Sequence, residues 1–172
     1  MKTAYIHIGT NKTGTSSLQY FFYHNSDWLK KKGFYYNKEE TSYFAHHKFA
    51  LSKASNDELK YQEKISDYAS WLKTFILEYQ DYDNAIFSSE VFHTLEDLSN
   101  VKDFFETYFD KVVVICYVRN FVEYLSSWYA QDVQGVDETR KFSSYIETQK
   151  LSYTSFINNW SNCFGLSNFI LK

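Results

Sequence analysis

Seven consecutive apolar residues, Val112-Val113-Val114-Ile115-Cys116-Tyr117-Val118, constrain this chain more than any other stretch. β-Branched side chains dominate the run, which favours extended backbone. The run does not alternate with polar residues, so both faces of the strand need cover. That is the pattern of a central strand in a parallel sheet.

The rest of the chain supplies partners for such a strand. Tyr5-Ile6-His7-Ile8 is a short apolar run ending at Gly9, and Ala85-Ile86-Phe87-Ser88-Ser89 is another ending at Glu90. Phe34-Tyr35-Tyr36 and Asn168-Phe169-Ile170-Leu171 read as short strands. Helical patterns fall between them. Leu18, Phe21, Phe22 and Leu29 mark one face of a helix over 15–32 that Gly33 stops. Ile65, Tyr68, Ala69, Leu72, Ile76 and Tyr79 mark a long helix over 57–80. Val101, Phe104, Phe105 and Tyr108 mark a third. Asn120 with Glu123 resembles a capping box opening a fourth, and further helix is expected over 139–160. Residues 37–56 read as loop plus a short helix. Strand alternating with helix is the signature of an α/β domain with a parallel sheet.

Composition narrows the function classes. The chain has 172 residues, enough for one domain with a core that needs no disulfide or metal. Its net charge is −3, without the basic excess of a duplex nucleic-acid surface. The run Lys30-Lys31-Lys32 reads as a solvated helix C-terminus. Two cysteines, Cys116 and Cys163, make no disulfide framework. No apolar stretch has the length of a membrane span, and the N-terminus lacks a signal-peptide apolar region. The expected location is therefore cytoplasmic.

Two of only five glycines, Gly9 and Gly14, bracket the turn between the first strand and its helix. The stretch Gly9-Thr10-Asn11-Lys12-Thr13-Gly14-Thr15-Ser16-Ser17 has the context in which helix-start N–H groups bind phosphate. The glycine spacing equals that of a nucleotide P-loop, but the lysine does not sit after the second glycine. Thr15 holds that place and Lys12 precedes Gly14 by two residues. The acidic metal ligand of a P-loop NTPase is also missing from the end of the strongest strand, which carries Arg119 instead. Arg119 is one of only two arginines. Ligands of open α/β sheets bind beyond the carboxyl ends of strands, so Arg119 and Gly14 should open onto one crevice. Ser127, about two helical turns beyond Asn120, returns to the face that carries the helix start. Together Arg119 and Ser127 suit a second phosphate.

With these motifs the sequence resembles the sulfotransferases that use 3'-phosphoadenosine-5'-phosphosulfate (PAPS). Residues 7–19, His-Ile-Gly-Thr-Asn-Lys-Thr-Gly-Thr-Ser-Ser-Leu-Gln, are similar to the family's 5'-phosphosulfate loop, whose core is Lys-x-Gly-Thr-Ser/Thr. Residues 117–129, Tyr-Val-Arg-Asn-Phe-Val-Glu-Tyr-Leu-Ser-Ser-Trp-Tyr, are similar to its 3'-phosphate motif, with Phe121 where the family usually has Pro. Ser88-Ser89-Glu90 is similar to bacterial, carbohydrate-type members. The resemblance spans about residues 3–131. It implies a three-layer α/β/α, P-loop-like domain over residues 1–172, with the C-terminal part of the family domain missing.

The resemblance implies PAPS as sulfuryl donor, a carbohydrate or other small-molecule hydroxyl as acceptor, and no metal. It assigns Lys12, Thr13, Gly14, Thr15, Ser16 and Ser17 to the phosphosulfate, and Arg119 and Ser127 to the 3'-phosphate. Lys12 would neutralise charge on the leaving phosphate. A base must take the acceptor's proton. Glu90, at a strand end facing the same crevice, comes first, followed by His47 and His46, because imidazole titrates near neutrality. No His/Cys/Asp cluster has metal-ligand spacing. Two other readings stay open: a P-loop nucleotide or small-molecule kinase, and a truncated, inactive fragment that binds 3'-phosphoadenosine-5'-phosphate (PAP).

Overall fold

A computed structural model of the protein describes residues 1–54, 64–136, 138–149 and 152–172. Five strands form one wholly parallel sheet: β1 (Thr3–His7), β2 (Phe34–Tyr35), β3 (Asn84–Ser88), β4 (Lys111–Cys116) and β5 (Phe169–Leu171). Their order is β2-β3-β1-β4-β5. The sheet is thus the expected one, but β1 and not the valine-rich β4 lies at its centre. From β1 the chain runs to β2 at one edge and back through β3, and then passes β1 to β4 on the other side, so the strand order reverses about β1. That makes the carboxyl end of β1 a topological switch point, where such sheets open a crevice.

The two faces of the sheet are covered unequally. Ala4, Ile6, Ala85, Phe87, Val114 and Cys116 point to one face and are essentially inaccessible. Over them pack α3 (His47–Lys53), α4 (Tyr68–Tyr79), α5 (Ser99–Tyr108) and α8 (Tyr153–Phe164), bringing Phe49, Trp71, Phe75, Phe104, Phe105 and Trp160. The aromatic richness of the chain is concentrated there. Phe49 alone meets the rings of Trp71, Phe87, Phe92 and Phe104. The opposite face carries Tyr5, His7, Ile86 and Ile115, and α1 (Thr15–His24) lies over it through Leu18 and Phe22. Tyr117, just past β4 on this side, is 39% exposed. The both-faces cover expected of the valine run therefore holds for one face and only partly for the other.

Several helices differ from the sequence pattern for local reasons. The helix expected over 15–32 is two, α1 and α2 (Ser26–Lys31). Asn25 breaks it: its backbone N–H and its side-chain amide both donate to Phe21 O, at 3.0 and 2.8 Å. A side chain that occupies a helix carbonyl competes with continuation of the helix. The inward face of α1 also differs. Its buried positions are the polar Thr15 and Gln19, whereas Phe21 is exposed. The helix expected from Asp57 has its first part outside the described residues. In what is described, α4 begins at Tyr68, where the Asp67 carboxylate accepts from Ser70 N at 3.0 Å. Ile65 precedes the helix yet is buried in the core. The helical stretch over 139–160 is α7 (Phe142–Glu147) and α8, separated in the chain. α6 (Phe121–Gly135) starts as expected, with Asn120 Oδ1 accepting from Val122 N at 3.0 Å. Glu123 does not close the capping box and turns instead to Arg119.

Candidate active site

The site is built at the carboxyl ends of β1, β3 and β4. The loop after β1 is pinned on the β4 side: Tyr117 N donates to Gly9 O at 2.7 Å and Thr10 N to Tyr117 O at 2.8 Å. Thr13 Oγ1 donates to Thr10 O at 2.6 Å, so this hydroxyl braces the loop from within. Gly14 caps α1 in left-handed backbone, φ 83°, and no side chain caps the helix. N–H groups of a first helical turn have no intrahelical acceptor, so those at Thr15 and Ser16 are free to bind an anion. Lys12 also has positive φ, 61°, and its ammonium lies 5.5 Å from the centre of the Trp128 ring.

Arg119 extends from the end of β4 to this loop. Its Nη1 donates to Lys12 O at 3.3 Å, while Nε donates to Glu123 Oε2 at 3.0 Å. Residues that the sequence separates by more than a hundred positions thus share one rim. Ser127 is half-buried farther along α6, beside Trp128. The loop separates two clefts. One, of about 320 Å³, is polar and lined by Asn11, Lys12, Ser16, Glu90, Trp128 and Gln131. The other, of about 350 Å³, carries Ser17, Leu18, Phe21, Tyr117 and His7. Gly14 and Thr15 border both.

Glu90 follows β3 and is held against the loop. Gln19 Nε2 donates to Glu90 Oε2 at 2.8 Å. The other oxygen, Oε1, lies 3.7 Å from His47 Nε2. A carboxylate only accepts, so the imidazole nitrogen facing it carries the proton. Nδ1 of His47 then accepts from Ser89 Oγ, 2.7 Å away. Ser89 Oγ in turn accepts from Val91 N at 3.1 Å, capping the 3₁₀ turn that Glu90 opens. Burial holds the His47 pKa below the ordinary histidine value, against the pull of Glu90. His47 is neutral near pH 7 on that account.

His46 stands apart from this chemistry. It is fully buried, its Nδ1 accepts from Ser88 N at 3.1 Å, and its Nε2–H donates to Asn37 O at 2.8 Å. Burial pushes its pKa down to about 4. With both nitrogens engaged by backbone groups, neither is open to a substrate proton, and His46 positions the end of β3. Of the three sequence candidates for a base, the structure places Glu90 on the cleft, with His47 beside its carboxylate.

Gln19, Ser89 and Trp128 are site residues that sequence reasoning missed. The signal for Gln19 was available. Thr15 and Gln19 are one turn apart on one helix face, and a long amide facing inward needs a buried partner. Among the described residues no group of three or more His, Cys, Asp or Glu is placed to hold a metal. No described helix is long and apolar enough to cross a membrane.

No family model and no curated protein matches the sequence. Among solved structures, the sulfotransferase from Alicyclobacillus acidocaldarius is similar. The TM-score is 0.60 at 16% identity, over 99% of this chain and 73% of that one. The chain has the sulfotransferase fold.

Proposed function

We propose that the protein is a sulfotransferase that takes a sulfuryl group from PAPS and delivers it to an acceptor hydroxyl, that of a carbohydrate. The observation that carries the reading is the Arg119–Lys12 contact. It ties the Arg119 guanidinium to the main chain of the loop whose Lys12, with Glu90, lines the polar cleft beside the helix start. PAPS is a substrate with anionic groups at the 3' and 5' positions of its ribose. Two separate cationic positions and a free helix start suit such a ligand. The cleft on the other side of the loop offers Leu18, Phe21 and Tyr117 to a nucleobase.

The donor supplies an activated sulfur whose bond to the 5'-phosphate oxygen breaks as the acceptor oxygen attacks. The protein's work is to position groups and stabilise charge. Lys12 and the N–H groups of Thr15 and Ser16 stabilise charge on the leaving phosphate. Arg119, with Ser127, holds the 3'-phosphate, exchanging its exposed pairing with Glu123 for a charge-assisted fork. Glu90 Oε1 takes the proton of the attacking hydroxyl. Gln19 keeps the other oxygen occupied, so the carboxylate presents one lone-pair edge to the cleft. His47, with its proton directed at Oε1, fixes that edge. The polar lining of the cleft suits an acceptor rich in hydroxyl groups.

Transfer of labelled sulfuryl from PAPS to a glycan panel, under single-turnover conditions, tests the reading. Loss of a general base costs about 10²–10⁴ in rate, so Glu90→Gln should lose that much while PAP affinity stays near wild type. His47→Ala should lose less. Normal transfer by Glu90→Gln together with failure of His47→Ala would move the base to His47. Absence of transfer from PAPS to every acceptor would refute the assignment.

A further inference from the structure

The loop between β2 and α3 carries a feature that the donor site does not use. Ser42 N donates to Ala45 O at 2.9 Å and Ala45 N donates to Ser42 O at 3.0 Å. The closed turn has Tyr43 and Phe44 at its tip, both in left-handed backbone, with φ 50° and 70°. Two-residue hairpins normally give these positions to Asn-Gly, because a Cβ there is strained. Here two aromatic residues occupy them. Tyr36 Oη donates to Phe44 O at 2.7 Å, which fastens the turn to a buried tyrosine.

The turn presents its rings outward along α1. Phe44 meets Tyr20, Tyr23 and His24, with ring centres 5.4, 5.1 and 5.2 Å away. Tyr20 is itself more than half exposed. Tyr43 is 88% exposed, so packing does not account for it. This aromatic step begins beside the polar cleft. Tyr20 is one helical turn after Ser16, which lines the cleft, and such residues have Cβ atoms about 5–6 Å apart. Gln19, the residue before Tyr20, holds Glu90. On the other side, Phe44 lies three residues before His47.

We propose that this step, Tyr20, Phe44 and Tyr43, is a subsite for a second sugar ring of a glycan acceptor, next to the ring whose hydroxyl is sulfated. It rests on the reading of Glu90 and its cleft given above. The cleft is polar, as a polyol requires. The step is a solvent-facing group of aromatic rings, two of them tyrosines with Tyr20 and Phe44 set edge-on, and exposed aromatic faces with phenolic hydroxyls suit the apolar face and hydroxyls of a pyranose. A small aryl acceptor calls for an enclosing apolar pocket. The Lys38 ammonium, 5.3 Å from the Tyr23 ring centre, gives the ledge a cationic border that tolerates uronic acids.

The test is saturation-transfer NMR and titration of the full chain with neutral and uronic-acid oligosaccharides, from mono- to tetrasaccharides. 4-Nitrophenol serves as the aryl comparison, and PAP binding is measured by calorimetry on the same samples. Lengthening the acceptor past one sugar should raise affinity about tenfold, with saturation reaching the sugar from aromatic protons. Tyr43→Ala and Tyr20→Ala should abolish that gain and leave monosaccharide and PAP binding unchanged. Tyr43→Ala decides the matter if Tyr20→Ala fails to fold, because Tyr43 is not packed. No length dependence with any glycan, a gain retained in Tyr43→Ala, or preference for the phenol would overturn the subsite. PAP binding without any glycan gain overturns the subsite alone. A glycan gain without PAP binding supports the subsite and overturns the donor reading.

Discussion

Replacing Gly9 by alanine measures how tightly Glu90 is held against the loop after β1. Gly9 has φ +101°, and an added Cβ would stand 3.0 Å from Glu90 Cβ and 3.1 Å from its Cα. Neither side can yield easily. Gly9 O accepts from Tyr117 N at 2.7 Å, and Ser89 N donates to His7 O at 3.0 Å. Left-handed backbone costs an L-residue about 1–2 kcal/mol, and overpacking adds about 1–3. The expected loss is about 2–5 kcal/mol. Gly14→Ala is the internal comparison. Its φ is +83°, but nothing lies within 4 Å of the added Cβ, so only the backbone cost of about 1–2 kcal/mol applies. Urea unfolding of both variants without ligand, at unchanged m, gives the difference directly. For a chain of this size each kcal/mol moves Tm by about 2–4 °C, so Gly9→Ala should melt roughly 4–20 °C lower. Equal losses for the two variants would show that Glu90 does not press on the loop, and the description of the cleft would fail.

Three further outcomes follow from the site. Lys12→Ala should abolish transfer while weakening PAP much less, because its charge acts most strongly on the transition state; equal turnover in single-turnover assays would remove Lys12 from the mechanism. Arg119→Ala should weaken PAP more than adenosine 5'-phosphosulfate, which lacks the 3'-phosphate. The difference should be about 1.5–3 kcal/mol by calorimetry, and equal losses would make Arg119 structural. Stability should fall as pH drops from neutrality. Burial lowers His7 and His46 to about 4 from the ordinary 6.5, so the unfolded chain binds more protons in that window. Full stability is present above the unfolded value and is lost as pH falls toward 4, roughly 2 kcal/mol per histidine by about pH 5. Urea curves that coincide between about pH 7 and pH 5 would contradict this burial.

The sequence carried the architecture because the strands announce themselves. β-Branched and aromatic runs ending in Gly9, Glu90 and Arg119 marked three strands and the edge of the sheet where the crevice opens. The loop with Lys12 and the Asn120 cap were legible for the same reason: local backbone chemistry fixes them. What was not legible depends on tertiary packing. Leu18, Phe21 and Phe22 form an apolar stripe, yet Thr15 and Gln19 are the buried positions, and the Gln19 amide turns inward to Glu90, just past a distant strand. Adjacent histidines could not be ranked from sequence. His46 is locked between Ser88 and Asn37, and His47 faces Glu90 and Ser89, a distinction set by one position at the start of α3. Asn25 ended a helix through its own side chain, an effect that apolar periodicity does not record.

The central claim is that one cleft edge reads a nucleotide with anionic groups at both the 3' and 5' positions of its ribose, without magnesium. Calorimetric titration of the full chain with PAP, and separately with ATP and magnesium, tests it most directly. The account predicts PAP binding that is independent of magnesium, tighter than ATP, and weakened by Arg119→Ala. Magnesium-dependent ATP binding with no response to PAP would contradict it.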